Sequence, residues 1–142
     1  MSGDEIKNVY LIFDPSDEEV AQIADRWLHD HNFEVIKPAP GTEMRSTEEH
    51  TELLRASEGV LFYHGHTTET WLRMNLIKLQ KAFATSDGKR AECAVLLGDP
   101  ETKDKRTFKS HLVQYVIPEF GTFTADKLAQ FAEALAAQRE PA

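Results

Sequence analysis

The chain has 142 residues, with 16 Lys and Arg against 24 Asp and Glu, so its formal net charge is −8 when His is neutral. The length predicts one domain spanning 1–142, and a content of 41% hydrophobic and 28% charged residues excludes a disordered chain, a collagen and a coiled coil. The negative charge argues against nucleic-acid binding, and apolar runs of four or five residues are too short to cross a membrane.

Two further features of the sequence favour a location in the cytoplasm. The first five residues are polar and acidic, which predicts that there is no signal peptide. The single cysteine, Cys93, cannot form an internal disulfide and suits a reducing environment. We therefore expect a cytoplasmic protein, with Cys93 acting as a small apolar residue inside a strand.

The first predicted strand is 9–13, which is apolar throughout, as strands buried on both faces are. Ser16 and Glu19 have the spacing of a capping box, which predicts that a helix begins there. The acidic run 17–19 is expected to complement the positive end of the helix dipole. Residues at helical spacing should face the core, namely Val20, Ile23, Ala24, Trp27 and Leu28.

The second predicted strand is 33–36, and the loop 37–45 that follows contains two prolines and a glycine. We expect this loop to be exposed and available for recognition. Ser46 and Glu49 form another potential capping box. The helix behind it offers only a few residues to the core, namely His50, Leu53 and Leu54.

The second half of the chain continues the alternation. Strands are predicted at 59–63, 93–97 and 113–117, and the charged stretch 101–109 is expected to hold a short helix or turn. Two helices lie between or after them. The first has an apolar line of Leu72, Leu76, Leu79 and Phe83, and the last, capped by Thr124, has Leu128, Phe131, Ala132 and Leu135.

Alternating strands and helices predict an α/β fold, a doubly wound parallel sheet of five strands in the flavodoxin-like order 2-1-3-4-5. In this order ligands bind at the carboxyl ends of strands 1 and 3. The candidate ligand-binding residues are therefore Phe13, Asp14, Arg45, His64 and Trp71.

Several common site types are missing from the sequence. Neither phosphate-binding glycine motif is present, the third and fifth strands lack the residues of a receiver domain, and the acidic loop 14–17 is unlike a flavin-phosphate loop. His64 and His66 could suggest a metal, but no third ligand follows at zinc-like spacing. We expect no metal and no resident cofactor.

The stretch 59–75, GVLFYHGHTTETWLRMN, resembles the corresponding part of Toll/interleukin-receptor (TIR) domains, in which a strand ends in a Ser/Thr loop and a helix carries a Trp near its start. The opening stretch 9–17 and the proline-rich loop 37–45 are similar to the family's first strand and its long BB loop. The resemblance covers about residues 7–138 and is greatest to bacterial TIR-like modules at the front of multidomain signalling ATPases.

One departure from the family bears on activity. NAD-cleaving TIR domains carry a catalytic Glu four residues after the helix Trp, and from Trp71 that position is Asn75. An amide cannot stabilise the positive ribose that forms when nicotinamide leaves. Glu69 is the alternative carboxylate, provided that it lies in the loop before the helix.

Three functions remain open. The first is a non-catalytic signalling module that associates with itself or with other TIR-like domains, within a larger protein or alone. The second is an NAD glycohydrolase or related N-glycosidic enzyme with a rearranged site, for which NAD is the substrate. The third is a relative of the nucleoside deoxyribosyltransferases, which would need a carboxylate nucleophile on the same helix, and none follows Trp71.

Overall fold

A computed structural model describes residues 7–37, 52–54, 56–84, 92–121 and 126–137. The strands are β1 (Lys7–Ile12), β2 (Phe33–Ile36), β3 (Gly59–His64), β4 (Glu92–Leu97) and β5 (Tyr115–Pro118). The helices are α1 (Glu18–Asp30), α2 (Glu69–Ala84), α3 (Lys103–Arg106) and α4 (Ala129–Ala137), and 3₁₀ turns at Pro15–Asp17 and Asp126–Leu128 lead into α1 and α4. Residues 52–54 and 56 are also helical.

The five strands form one parallel sheet in the order β2-β1-β3-β4-β5, which confirms the predicted fold class. The central pair is β1 and β3, in which Leu11 lies directly beside Leu61, and both side chains are fully buried as expected. Parallel strands joined through helices bring all their carboxyl ends to one edge of the sheet. That edge therefore gathers the loops that follow β1, β3 and β4.

Successive strand residues point to opposite faces, so the sheet separates two apolar cores. Val9 and Leu11 lie in the first core, under α1 and α4, whereas Tyr10 and Ile12 lie in the second, under α2. Cys93 is buried in the second core, as predicted. Both faces of the central strands are covered, which is why residues 9–12 of β1, 60–63 of β3 and 93–97 of β4 form nearly unbroken apolar runs.

The predicted helix faces are largely confirmed. Leu72, Leu76 and Leu79 of α2 are buried, as are the α4-side residues Leu128, Phe131 and Leu135. On α1 the buried residues are Ala21, Ala24 and Leu28, with Val20 and Trp27 half-buried against the first core. The prediction for Ile23 is wrong, because this side chain is 41% exposed on the outer face of α1.

The start of α1 also differs from the prediction. The Asp14 carboxylate accepts the Ser16 backbone N–H at 2.9 Å, so Asp14 caps the turn that precedes the helix and Ser16 lies inside that turn. The predicted capping box at Ser16 and Glu19 is therefore wrong. An acidic side chain two residues earlier takes the capping position, since carboxylates accept such bonds as readily as hydroxyls do.

The boundaries of other strands and helices differ from the predicted ones by one or two residues. Strand β5 begins at Tyr115, and the short helix in 101–109 is α3. The predictions for Arg45, Ser46, Glu49, His50 and Thr124 lie outside the described residues, and so does all but the first residue of the loop 37–45. Among the described residues, no helix is long and apolar enough to cross a membrane.

Candidate functional site

Polar side chains meet where β1, β3 and β4 end, at the edge of the sheet that the fold predicts for a site. Asp14 and Asp17 follow β1 and lie in or beside the 3₁₀ turn before α1. His64 closes β3, and residues 65–68 connect it to α2. Gly98, Asp99 and Pro100 follow β4.

Asp17 is a buried acidic residue at this edge of the sheet. Its side chain is fully inaccessible to solvent, and its carboxylate accepts two hydrogen bonds from His66, the backbone N–H at 3.1 Å and the ring Nδ1 at 2.7 Å. Asp17, Glu18 and Glu19 lie at the amino end of α1, as predicted for the acidic run 17–19. The buried carboxylate of Asp17 also joins the end of β1 to the loop after β3.

Lys105 of α3 is buried in the same region, with 4% of the residue exposed. Its Nζ donates to three backbone carbonyls, those of Gly65 at 2.5 Å, Gly98 at 2.8 Å and Pro100 at 2.7 Å. Burial lowers the pKa of Lys105, while the charges of Asp17 and Asp99 oppose that shift. Three donated hydrogen bonds use all three protons of the ammonium, so the group is charged.

The peptide between residues 65 and 66 lies between these two charges. Its carbonyl, from Gly65, accepts from the Lys105 ammonium, and its N–H, from His66, donates to the Asp17 carboxylate. A cation at the oxygen and an anion at the hydrogen both favour one orientation of the peptide dipole. We call this arrangement the Asp17–Lys105 clamp, and it fixes the path of the loop between β3 and α2.

Close packing surrounds the clamp. A Cβ on Gly65 would lie 2.6 Å from the Tyr63 ring and 2.7 Å from the Asp17 carboxylate, and a Cβ on Gly98 would overlap the Tyr63 hydroxyl. Only glycine fits at either position. Burial, and next the charge of Asp17, raise the pKa of Tyr63 to about 12, so the phenol keeps its proton.

His64 is buried at the end of β3, and its Nδ1 lies 2.8 Å from the Thr67 hydroxyl. Burial, and next the Lys105 charge, lower the pKa of His64 to about 4 against the opposing charges of Asp17 and Glu69. The ring is therefore neutral near pH 7. The contact with Thr67 fixes the orientation of this neutral imidazole from within the same loop.

Helix α2 begins at Glu69, so this residue does not lie in the preceding loop. The Thr68 hydroxyl accepts the Trp71 backbone N–H at 3.1 Å and caps the helix. The Glu69 carboxylate accepts from Arg73, with Nη2 at 2.9 Å and Nε at 3.1 Å. The Arg73 guanidinium also lies 4.8 Å from the Phe108 ring centroid, so the carboxylate is tied to the side of α2 that faces residues 108–109.

The other candidate residues are placed as follows. Asn75 is half-buried, and its Nδ2 donates to the Trp71 carbonyl at 2.9 Å within the same helix. Trp71 packs against the second core and Phe13 against the first, both half-buried. Asp14 receives the Ser16 hydroxyl at 2.7 Å in addition to its backbone bond. The fold thus brings Asp14 and His64 to one edge, while Arg45 lies outside the described residues.

Metal binding gains no support from the described residues, in which no group of three or more His, Cys, Asp and Glu side chains could hold an ion. His66 turns its Nδ1 to Asp17, and His64 turns its Nδ1 to Thr67. His64 and His66, which are two residues apart in the sequence, therefore contact two different partners through Nδ1.

Sequence reasoning missed the residues of the clamp. Lys105 stands among Lys103 and Arg106 in a charged stretch, and no one-dimensional pattern distinguishes the one buried cation from its exposed neighbours. Asp17 resembled an ordinary acidic residue of a first helical turn. The available signal was the glycines, since Gly65 and Gly98 each follow a buried strand, where glycine often marks a close approach.

Comparisons with known proteins add no family assignment. No protein-family model matches the chain. No curated protein matches its sequence either.

Proposed function

We propose that the chain is a TIR-like signalling and protein-interaction module without NAD-cleaving activity. The observation that carries the proposal is the use of the carboxylates at the edge of the sheet. Asp14 caps a turn, Asp17 is buried against His66, and Glu69 is paired with Arg73. Cleavage of an N-glycosidic bond needs a carboxylate directed at the developing positive charge on the ribose.

Asn75 supports the same proposal. Its amide donates into the backbone of α2, where the family's catalytic position would hold a carboxylate. Replacing one preorganised electrostatic partner costs roughly 10²-fold or more in rate. Glu69, the alternative carboxylate that the sequence offers, is held by the Arg73 guanidinium.

An interaction role is supported by the outer surface. The helix α2 buries one side in the second core and exposes Met74 and Ile77 on the other. Apolar side chains one turn apart on a rigid helix are typical of binding faces. The partners we propose are a second copy of the chain or another TIR-like domain in the cytoplasm, with no resident cofactor.

The test is incubation of the purified chain with NAD, followed by chromatographic measurement of released nicotinamide. We expect release equal to that of buffer. Robust release that Glu69→Ala abolishes would overturn the proposal in favour of an NAD glycohydrolase, and Glu133→Ala, an exposed carboxylate on α4, is the matched control.

Asn75→Glu tests the assignment of the site. Release of nicotinamide by this variant alone would identify position 75 as the position of the family's carboxylate. Inactivity of both forms is the result expected of an interaction module, whose association is measured separately by sedimentation.

A further inference from the structure

The outer face of α2 combines apolar and positive side chains. Met74 is 53% exposed and Ile77 is 44% exposed, and they lie one turn apart on the side away from the second core. Lys78 and Lys81 follow each of them by four residues, so the four side chains share one surface of the helix. We call these four residues the α2 face.

The α2 face is positively charged, although the chain as a whole is negatively charged. The whole chain has a net charge of −8, yet the exposed positions beside Met74 and Ile77 are lysines. Arg73, which also lies on α2, forms an ion pair with Glu69 and packs over the Phe108 ring. An apolar centre flanked by lysines favours a partner with an apolar centre flanked by carboxylates.

The chain carries such a surface on α1. Ile23 is 41% exposed there, Glu19 lies one turn before it and Asp30 two turns after it, all on the side away from the first core. Arg26 lies between them, so the face is acidic at its two ends. We call Glu19, Ile23, Arg26 and Asp30 the α1 face.

The two faces lie on opposite sides of the sheet. The buried residues of α1, such as Ala24 and Leu28, belong to the first core, whereas Leu72 and Leu76 of α2 belong to the second. One molecule therefore cannot bring its own α1 face to its own α2 face. A second molecule can, and it leaves one unused face at each end of the pair.

We propose that the α2 face binds the α1 face of a second copy of this chain, which gives a head-to-tail association. This proposal rests on the proposed interaction function and names its partner and both surfaces. Pairing of two α2 faces is disfavoured, because Lys78 and Lys81 of one copy would meet those of the other. Contacts between unlike faces do not close by two-fold symmetry, so the assembly extends with concentration.

The experiment uses one variant on each face and measures mass by sedimentation velocity from micromolar to millimolar concentration. Ile23→Asp removes the α1 face, and Ile77→Asp removes the α2 face. Both side chains are exposed, so we expect folding to be unaffected, which a thermal melt checks. Val116→Asp, at an exposed apolar residue of β5 outside both faces, is the matched control.

We expect the unmodified chain and Val116→Asp to grow in mass with concentration. Each face variant alone should associate at least about tenfold more weakly than the unmodified chain. A mixture of the two variants should form dimers and stop there, because each variant keeps one intact and complementary face. A charge exchange gives a second test, since Lys78→Glu with Lys81→Glu should be rescued by a partner that carries Glu19→Lys with Asp30→Lys.

Three results would overturn the proposal. They are an unmodified chain that stays monomeric at all concentrations, an Ile23→Asp variant that associates as well as the unmodified chain, and a mixture of the two face variants that forms no dimer. None of these touches the NAD result. A monomeric chain that binds another TIR-like domain would end the self-association proposal and keep the interaction function.

Discussion

Lys105 donates to carbonyls from two different loops, those after β3 and β4, and its ammonium is buried. Lys105→Met keeps much of the apolar stem but removes every donor. The carbonyls of Gly65, Gly98 and Pro100 then lose their shared partner, and the buried Asp17 carboxylate loses a nearby positive charge. We expect the free energy of unfolding to fall by about 3–5 kcal/mol.

Urea denaturation followed by circular dichroism measures this loss. Lys103→Met, two residues away and exposed, is the matched control and should change stability by less than about 0.5 kcal/mol. Equal stability of Lys105→Met and Lys103→Met would contradict the structural role of the clamp.

His64 makes stability depend on pH. Its pKa is lowered from 6.5 to about 4, first by burial, so the folded chain binds fewer protons than the unfolded chain between these values. The contribution of His64 to the free energy of unfolding is therefore greatest above about pH 7. It falls by about 2–3 kcal/mol as the pH is lowered towards 4. His64→Asn retains a polar group near Nδ1 and cannot titrate.

Denaturant titrations between pH 7 and pH 4 check the prediction. The slope of stability against pH should be shallower in His64→Asn than in the unmodified chain. His29→Asn, on the exposed side of α1, is the matched control. Parallel slopes for all three proteins would count against the burial of a neutral His64.

At the scale of elements, β3 is the centre of the structure, because every one of its residues is buried and it pairs with both β1 and β4. Leu61→Ala leaves a cavity in the first core beside Leu11. We expect the free energy of unfolding to fall by about 2–5 kcal/mol, the range for large-to-small changes in cores.

Leu53→Ala is the control for this change, since Leu53 is only half-buried at the edge of the second core. Chemical denaturation should show a much smaller loss for it. A loss in Leu61→Ala no greater than that in Leu53→Ala would be inconsistent with the central position of β3.

The elements were predictable to different degrees. Strands β2 and β4 were predicted within a residue. Strand β4 is buried on both faces and is apolar from Cys93 onward, whereas β2 is an edge strand in which Glu34 is exposed between apolar residues. The face of α1 was predicted less well, since Ile23 satisfies helical spacing but lies at the outer limit of the apolar stripe. The start of α1 was missed because Asp14 and Ser16 are both good caps, and only the folded path of the chain shows which one accepts the bond.

At the scale of the molecule, one sheet joins two cores that are otherwise separate. Trp27 packs against the first core and Trp71 against the second, and the chain has no other tryptophan. Because every central strand contributes side chains to both cores, loss of one core removes the support of the other. We expect both cores to unfold in a single cooperative transition.

The single-tryptophan variants Trp71→Phe and Trp27→Phe report on the first and second core, respectively. In each variant the midpoint of unfolding by tryptophan fluorescence should coincide with the midpoint by far-ultraviolet circular dichroism. A fluorescence change that precedes the loss of secondary structure in either variant would show that the cores unfold separately.

The position of the site was predictable from the sequence, whereas the hydrogen bonds among its residues were not. The strand order follows from the alternation of elements, and the order places Asp14 and His64 at one edge. The clamp joins residues 17, 66 and 105, which are far apart in the sequence, and its members are polar residues of ordinary appearance. Burial of such residues depends on how the loops pack, which local patterns do not encode.

The three carbonyl oxygens around Lys105 form the kind of shell that proteins build around a bound monovalent ion. Here the positive charge is attached to the chain by its own side chain, so its local concentration never depends on the surrounding medium. We therefore expect the loops after β3 and β4 to stay together in dilute buffer as well as in salt. A chain that relied on a captured ion would lose that loop geometry on dialysis, whereas the ammonium of Lys105 stays attached to the chain.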